Sequence, residues 1–314
     1  MSGAGTLLVG YKAQDLFERT RRGRRRTASW AEADGVVCHT IDIYDRHAIE
    51  KTHHLKAVCS AHLPEGDWGL VKFRTGPKLM SGELALDLLQ EIHLLARRTG
   101  AKVEIDFVGR ERDRNDLVAK VRDDPDRVRD FSARWKASVP GHEPLEFTSF
   151  PGCFCHRRRD EGGLALAEVV AKELKGPCRL LDMGCGCGLV GLLLAKSSEQ
   201  VSLVMVDSSA RAVEAANLNA SSLGVPAEVI LADGGTPARM DGTFDVFVGN
   251  PPYYSDYRIA DVFLETAKRA LKPGGTCYTV CKNAAGLEPV QSRRFGSTEV
   301  TMRRGYAVLK SVNA

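Results

Sequence analysis

The sequence predicts an α/β chain in two parts, a parallel sheet wrapped by helices and, before it, a smaller α/β unit. From about Cys178 onward, short apolar runs alternate with helical patterns, the order expected of a parallel sheet covered on both faces. A glycine-rich turn follows the first of those runs, and the first 145 or so residues are patterned less sharply. The expected domains are therefore residues 1–145 and 146–314.

In the first part, strands are expected at Gly5–Lys12, Gly69–Arg74 and Lys102–Val108. A helix is expected over Ser81–Thr99, where Leu84, Leu88, Ile92 and Leu95 recur three or four apart and form one apolar stripe. Leu145–Phe150 and Cys153–His156, joined by Pro151-Gly152, predict a linking hairpin. Beyond it, strands are expected at Cys178–Met183, Ser202–Asp207, Ala227–Asp233, Phe244–Asn250 and Thr276–Lys282. Between them, Leu189–Lys196, Ala210–Leu223 and Ile259–Leu271 have helical length and spacing, the last closed by Lys272-Pro273-Gly274-Gly275. Glu299–Arg303 and Tyr306–Val312, separated only by Arg304-Gly305, predict a tight antiparallel hairpin at the sheet's end. No internal repeat is evident in the sequence, although an α/β half following an α/β half is compatible with a diverged duplication.

With 314 residues, 43% hydrophobic and 27% charged, the chain has enough apolar side chains for two cores. No apolar stretch approaches the roughly 20 residues of a membrane span, and Leu7-Leu8-Val9 is too short for a secretory signal. A cytoplasmic protein with no membrane partner is therefore expected. Nine cysteines are too few and too scattered for a disulfide scaffold. The net charge of +4, from 44 basic and 40 acidic residues, does not by itself demand a polyanion. Local clusters say more: six arginines within Arg19–Arg26, the run Arg157-Arg158-Arg159, and the pairs Arg293-Arg294 and Arg303-Arg304 are candidate phosphate contacts or solvated faces.

The most informative segment is Leu180-Leu-Asp182-Met-Gly184-Cys-Gly186-Cys-Gly188, a strand ending in an acid and turning through alternating glycines into a helix. Glycines remove the Cβ atoms that would block a ligand, and amides at the helix start are expected as donors in the crevice beyond the strand ends. A nucleotide-like cofactor follows. Gly186-Cys-Gly188-Leu-Val-Gly191 formally matches a dinucleotide fingerprint, with Asp207 about twenty residues on. Asp182, however, would repel a pyrophosphate, whereas the sulfonium and ammonium of S-adenosylmethionine welcome an acid. Asp-x-Gly-x-Gly-x-Gly resembles the first motif of class I methyltransferases. Asp207, with Ser208 beside it, is then expected at the ribose hydroxyls, and Asp233, with the Gly234 amide, at the adenine. A strand-end Asp taken alone is often a cap or turn residue, but three in register after consecutive strands argue for a ligand.

Asn250-Pro251-Pro252-Tyr253, at the tip of the fourth strand of this part, resembles the motif of methyltransferases acting on planar nitrogen. Such a nitrogen is a poor nucleophile because its lone pair is delocalised. The Asn250 side-chain oxygen and the Pro251 carbonyl can each accept one N–H, favouring the pyramidal form. Pro252 stiffens the loop, and Tyr253 would lie on the flat face of a flipped-out base. Alignment supplies the rate, and no strong base is required.

Release-factor glutamine methyltransferases, some adenine-N6 enzymes and rRNA guanine-N2 methyltransferases share this motif order. The chain resembles most the two-part bacterial small-subunit rRNA guanine-N2 methyltransferase family. No glycine motif precedes Asp182; Phe150-Pro151-Gly152-Cys153-Phe154 with Asp160 and Gly162 resembles that family's linking segment; and Arg303-Arg304-Gly305-Tyr306 resembles its terminal hairpin. Cys155 and Gly163 depart from the pattern, which has Ser and then Ser or Thr. The resemblance implies a Rossmann-like seven-stranded sheet, S-adenosylmethionine as cofactor, and ribosomal RNA or the small subunit as partner. It further implies an N-terminal RNA-recognition domain, itself degenerate in the cofactor motif. Phe154 is a candidate to stack on adenine or to staple the linker. A non-catalytic RNA-binding or assembly factor is the alternative of another class, and the oligomeric state stays open. Cys59-x-x-His62, with Cys38, His53 and His54, and the Cys-x-Cys pairs at 153/155 and 185/187 lack zinc-site spacing, so no metal is expected. Cys277 and Cys281 read as small buried hydrophobes.

Overall fold

The computed structural model describes residues 4–19, 25–31, 33–122, 129–198, 200–252 and 258–314. Most of the arginine-rich stretch 19–26, and Tyr253, lie outside the described residues. The chain divides into two compact units, Met1–Ser132 with Ser209–Arg211, and Ala133–Ser208 with Ala212–Ala314.

The first unit runs β1 (Gly5–Val9), β2 (Phe17–Arg19), β3 (Arg25–Thr27), β4 (Val36–Thr40), α1 (Ile43–His53), β5 (Lys56–Cys59), β6 (Trp68–Thr75), α2 (Gly82–Thr99), β7 (Lys102–Phe107) and α3 (Glu111–Arg122). Its five-stranded sheet is parallel throughout, in the order β5-β4-β1-β6-β7. The expected stripe of α2 is buried against one face with Leu7, Val9, Val71 and Phe73. Leu8, Val36, Cys38 and Ile49 fill the other face, as the period-2 alternation of strand side chains requires. Ser81 caps α2 by accepting the Leu84 N–H at 3.2 Å, and Gly100 ends the helix in the left-handed region. β4, α1, β5 and α3 are too short or too polar to have shown a clear period in the sequence.

The second unit runs β8 (Ala133–Ala137), β9 (Leu145–Ser149), α4 (Glu161–Glu173), β10 (Cys178–Met183), α5 (Leu189–Ser197), β11 (Val201–Asp207), α6 (Ala210–Ser222), β12 (Ala227–Leu231), β13 (Phe244–Gly249), α7 (Arg258–Ala270), β14 (Leu271–Cys281), α8 (Ala284–Phe295), β15 (Glu299–Arg303) and β16 (Tyr306–Val312). Seven strands form its main sheet in the order β12-β11-β10-β13-β14-β16-β15, parallel except for β16, which is antiparallel to both neighbours. Leu180, Leu203 and Met205 point into one core, and Leu181, Met183, Val204 and Val206 into the other. Near-continuous apolar runs are what a parallel sheet buried on both faces demands. Cys277 and Cys281 are buried in the second of these cores. The parallel part repeats the order of the first unit's sheet, 3-2-1-4-5 when the strands of each sheet are counted in sequence. In the first unit, however, β1 leads not into alternating glycines but into Gly10-Tyr11, with Tyr11 buried among Trp30 and Arg74.

Three expectations are corrected. Leu145–Ser149 pairs with Ala133–Ala137, not with Cys153–His156. Residues 151–157 instead form successive turns, in which the Cys153, His156 and Arg158 amides donate to the carbonyls of Phe150, Cys153 and Cys155. That pairing also carries Ala133 into the second unit, so the compact units divide near residue 132 rather than 145. Finally, Lys272-Pro273-Gly274-Gly275 does not merely close a helix. It lies within β14, which starts at Leu271 and absorbs the irregularity as a register shift between Phe244 and Val246.

Candidate active site

Chain order places the crevice of the second unit. After β10 the chain moves to β11 and β12 on one side and then to β13 and β14 on the other, which makes the carboxyl end of β10 the switch point where open α/β sheets bind ligands. Met183 pairs with Val206 and with Gly249. The next residue on each strand, Gly184, Asp207 and Asn250, therefore stands at one level on three adjacent tips. The three acids do not share a level. Asp182 pairs with Met205, Asp207 lies two residues further out and pairs with Leu231, and Asp233 lies two residues beyond that.

The deepest acid serves the loop. Asp182 is buried, and its carboxylate accepts the Gly191 N–H of α5 at 2.8 Å. Burial raises its pKa to about 7, with the Gly191 bond pulling the other way and the charges of Asp207 and Asp160 adding to the rise. Around it, the Gly184 and Cys185 amides donate to the Val206 carbonyl, the Gly186 amide to Asp207 Oδ2 at 2.8 Å, and the Gly188 amide to the Cys185 carbonyl. The expected amide donors are thus largely spent on protein acceptors, Gly191 in the first turn of α5 included. A pyrophosphate would meet the Asp207 carboxylate here in place of donors.

Two glycines differ in what they make room for. At Gly184, with φ +69°, a Cβ would come within 2.7 Å of the Phe263 ring, so packing requires glycine there. At Gly186, with φ +55°, a Cβ would meet nothing within 4 Å, so the space over this half-buried residue, whose amide is bound to Asp207, is open. Gly188 is the cap residue of α5. Ser208 and Asp233 are half-buried, and Gly234 is exposed with open space around its Cα.

On the opposite side, Asn250 directly follows β13, with buried Pro251 and half-buried Pro252 after it. Its Nδ2 donates to Asp160 Oδ2 at 3.1 Å. Asp160 caps α4 by accepting the Gly163 N–H at 2.9 Å, and burial raises its pKa although both partners work against the rise. A carboxylate can only accept, so the Asn250 amide is oriented with –NH2 toward Asp160 and the carbonyl oxygen turned away. Asp160 was visible in the sequence only as part of the linking segment, ninety residues from its partner. Gly163 now has a reason: a Cβ there would come within 2.5 Å of Asp160 Oδ2.

Asn219 on α6 was likewise missed. Buried, it donates to the carbonyls of Thr148 and Cys187 and accepts the Thr148 N–H, each at 2.8 Å, tying the glycine loop to β9. Phe154 is 68% exposed and so does not staple the linker. Glu168 on α4 anchors the terminal hairpin through Arg303 and Arg304. Among the described residues, no group of three or more His, Cys, Asp or Glu side chains is placed to hold a metal ion, and no helix is long and apolar enough to cross a membrane.

Residues 144–310 match the family model of the methyltransferase small domain. Among curated relatives, ribosomal RNA small subunit methyltransferase C of Pseudomonas syringae pv. syringae (strain B728a) is 32% identical over 161 residues, 50% of this chain and 47% of that one. The protein of the same name from Pseudomonas aeruginosa (strain UCBPP-PA14) is 35% identical over 159 residues, 48% and 46% of the two chains. The chain spans about half the length of the curated relatives it matches. Among solved structures, the T. thermophilus 16S rRNA N2 G1207 methyltransferase (RsmC), in complex with AdoMet and guanosine, aligns with 100% of this chain and 89% of its own. The TM-score is 0.73 and the identity 16%, a likeness of fold.

Proposed function

Because this chain belongs to the methyltransferase small domain family, we propose that it transfers a methyl group from S-adenosylmethionine to the exocyclic N2 of a guanine in small-subunit ribosomal RNA. The observation that carries the reading is Asn250, held by Asp160 with its carbonyl oxygen turned away, at the same level as Gly184 and Asp207. The names of the relatives support the choice of acceptor.

The residues fit this cofactor. Gly186 leaves open space beside the Asp207 carboxylate, a space short of amide donors for phosphate. When bound, the cofactor supplies an electrophilic methyl on a cationic sulfur, a charge the acids favour. Asp207, with Ser208, holds the ribose hydroxyls, and Asp233 and the Gly234 amide receive the adenine. Asp182 acts from below by fixing Gly191 and the loop.

Asn250 Oδ1 accepts one N–H of the acceptor amine and the Pro251 carbonyl the other, holding the nitrogen as its lone pair leaves conjugation. Pro251 and Pro252 keep both acceptors in place, and Tyr253 lies on the base. The amine proton is acidic once the nitrogen is alkylated and passes to water, so alignment carries the rate. The first unit, which keeps the strand order without the glycine loop, serves as the RNA-recognition domain.

The test is incubation with methyl-labelled cofactor and separate pools of rRNA, ribosomal subunits, tRNA, DNA and total protein, followed by nucleoside analysis. N2-methylguanosine in rRNA or subunits is expected. Label confined to protein would move the acceptor to a glutamine amide and refute the RNA reading.

A further inference from the structure

The turn between β9 and α4 is built at a conformational cost. Cys155 and Arg157 sit in the left-handed region at φ +55° and +59°, where residues other than glycine lose of order 1 kcal/mol or more each. Surrounding bonds hold the turn, among them three backbone turn bonds and a 3.1 Å contact between Ser149 Oγ and His156 Nδ1. The result is an outward display: Phe154 is 68% exposed, and Arg157, Arg158 and Arg159 are all exposed. Arg159 directly precedes Asp160, whose carboxylate orients Asn250. With at most 3.8 Å between consecutive Cα atoms, all three arginines start within about 11 Å of the Asp160 Cα.

We propose that this turn is the single-strand RNA contact of the catalytic unit, with Arg157, Arg158 and Arg159 neutralising phosphates that flank the reacting nucleotide and Phe154 stacking on a neighbouring base. The inference rests on the RNA reading of the site above. Three cations and one exposed aromatic ring on a fixed turn suit a single-stranded polyanion with flat bases, for which backbone charge and base stacking are the two sources of affinity. Residues 151–157 are turns with no strand pairing of their own, so strand pairing gives no reason for the left-handed residues.

The experiment measures binding of the full chain to naked small-subunit rRNA against salt, with cofactor affinity by calorimetry as the check on folding. Replacing the three arginines by Gln is expected to lower the salt slope by about 2, because each phosphate contact on a single strand contributes roughly 0.7. Between 50 and 200 mM salt, the variant then loses about 20-fold less affinity than the parent chain. Replacement by Lys restores the slope, and Phe154→Ala weakens RNA binding roughly 5- to 150-fold with the slope unchanged. Should the triple variant lose cofactor binding, Arg158→Gln alone is read, with an expected slope change of about 0.7. A parent chain that labels rRNA while the Gln variants keep its slope overturns this proposal alone. A parent chain that labels only protein overturns the RNA reading and this surface with it.

Discussion

Asp160→Ser separates the two tasks of one carboxylate. Serine caps a helix about as well as aspartate, so the Gly163 N–H keeps a partner and α4 keeps its start. Its hydroxyl stops short of Asn250, which loses the 3.1 Å bond that orients its amide. A hydrogen bond to a charged group is worth about 1.5–3 kcal/mol, which converts to a loss of about 10- to 100-fold in kcat if the orientation is used in the transition state. Cofactor affinity is expected to stay within about 2-fold, and Tm within about 3 °C. Single-turnover transfer of labelled methyl to rRNA, with cofactor titration by calorimetry, measures both. Unchanged kcat in a folded variant, or cofactor affinity falling in step with kcat, would refute the reasoning.

Asn250→Ala should cut turnover by about 100-fold or more, the usual loss of one preorganised partner, with little change in cofactor affinity. Asp207→Ala should weaken cofactor binding by about 10- to 100-fold while turnover at saturation stays near that of the parent; equal loss of binding in both variants contradicts this division. Gly184→Ala, whose Cβ would meet Phe263 at 2.7 Å, should lower stability by about 2–4 kcal/mol. Gly186→Ala should cost only about 1 kcal/mol yet weaken cofactor binding at least about 10-fold, and denaturant titration with calorimetry distinguishes the two. Burial holds the Asp182 pKa at about 7, above the ordinary carboxylate value of 3.8. Between those values the folded state holds a proton that the unfolded state has lost, so this group's contribution is complete below pH ~4 and falls by up to about 1.4 kcal/mol per pH unit until about pH 7. Asp182→Asn should remove that slope, and an identical pH profile for parent and variant would show that Asp182 ionises freely.

Legibility followed the range of the interactions. The loop from Asp182 to Gly188 could be read because its requirements are local: an apolar run, an acid, and glycines at fixed intervals. The hairpin of β15 and β16 was legible for the same reason. The hairpin drawn at Pro151-Gly152 failed because the true partner of β9 is β8, and a Pro-Gly pair marks a turn without stating what its flanks pair with. In the first unit, the stripe on α2 was clear, whereas β4 and β5 are short strands, identifiable only once the sheet is assembled.

By itself, the sequence determined the α/β class, the glycine loop and the Asn-Pro-Pro motif, because each is a short-range pattern that backbone geometry imposes on neighbouring residues. Only the tertiary structure decided that Asp182 lies buried under the loop, that Asp207 and Asn250 share a level with Gly184, and that Asp160 orients Asn250 from ninety residues away. Strand register and burial set these relations, and both come into being only when distant segments pack.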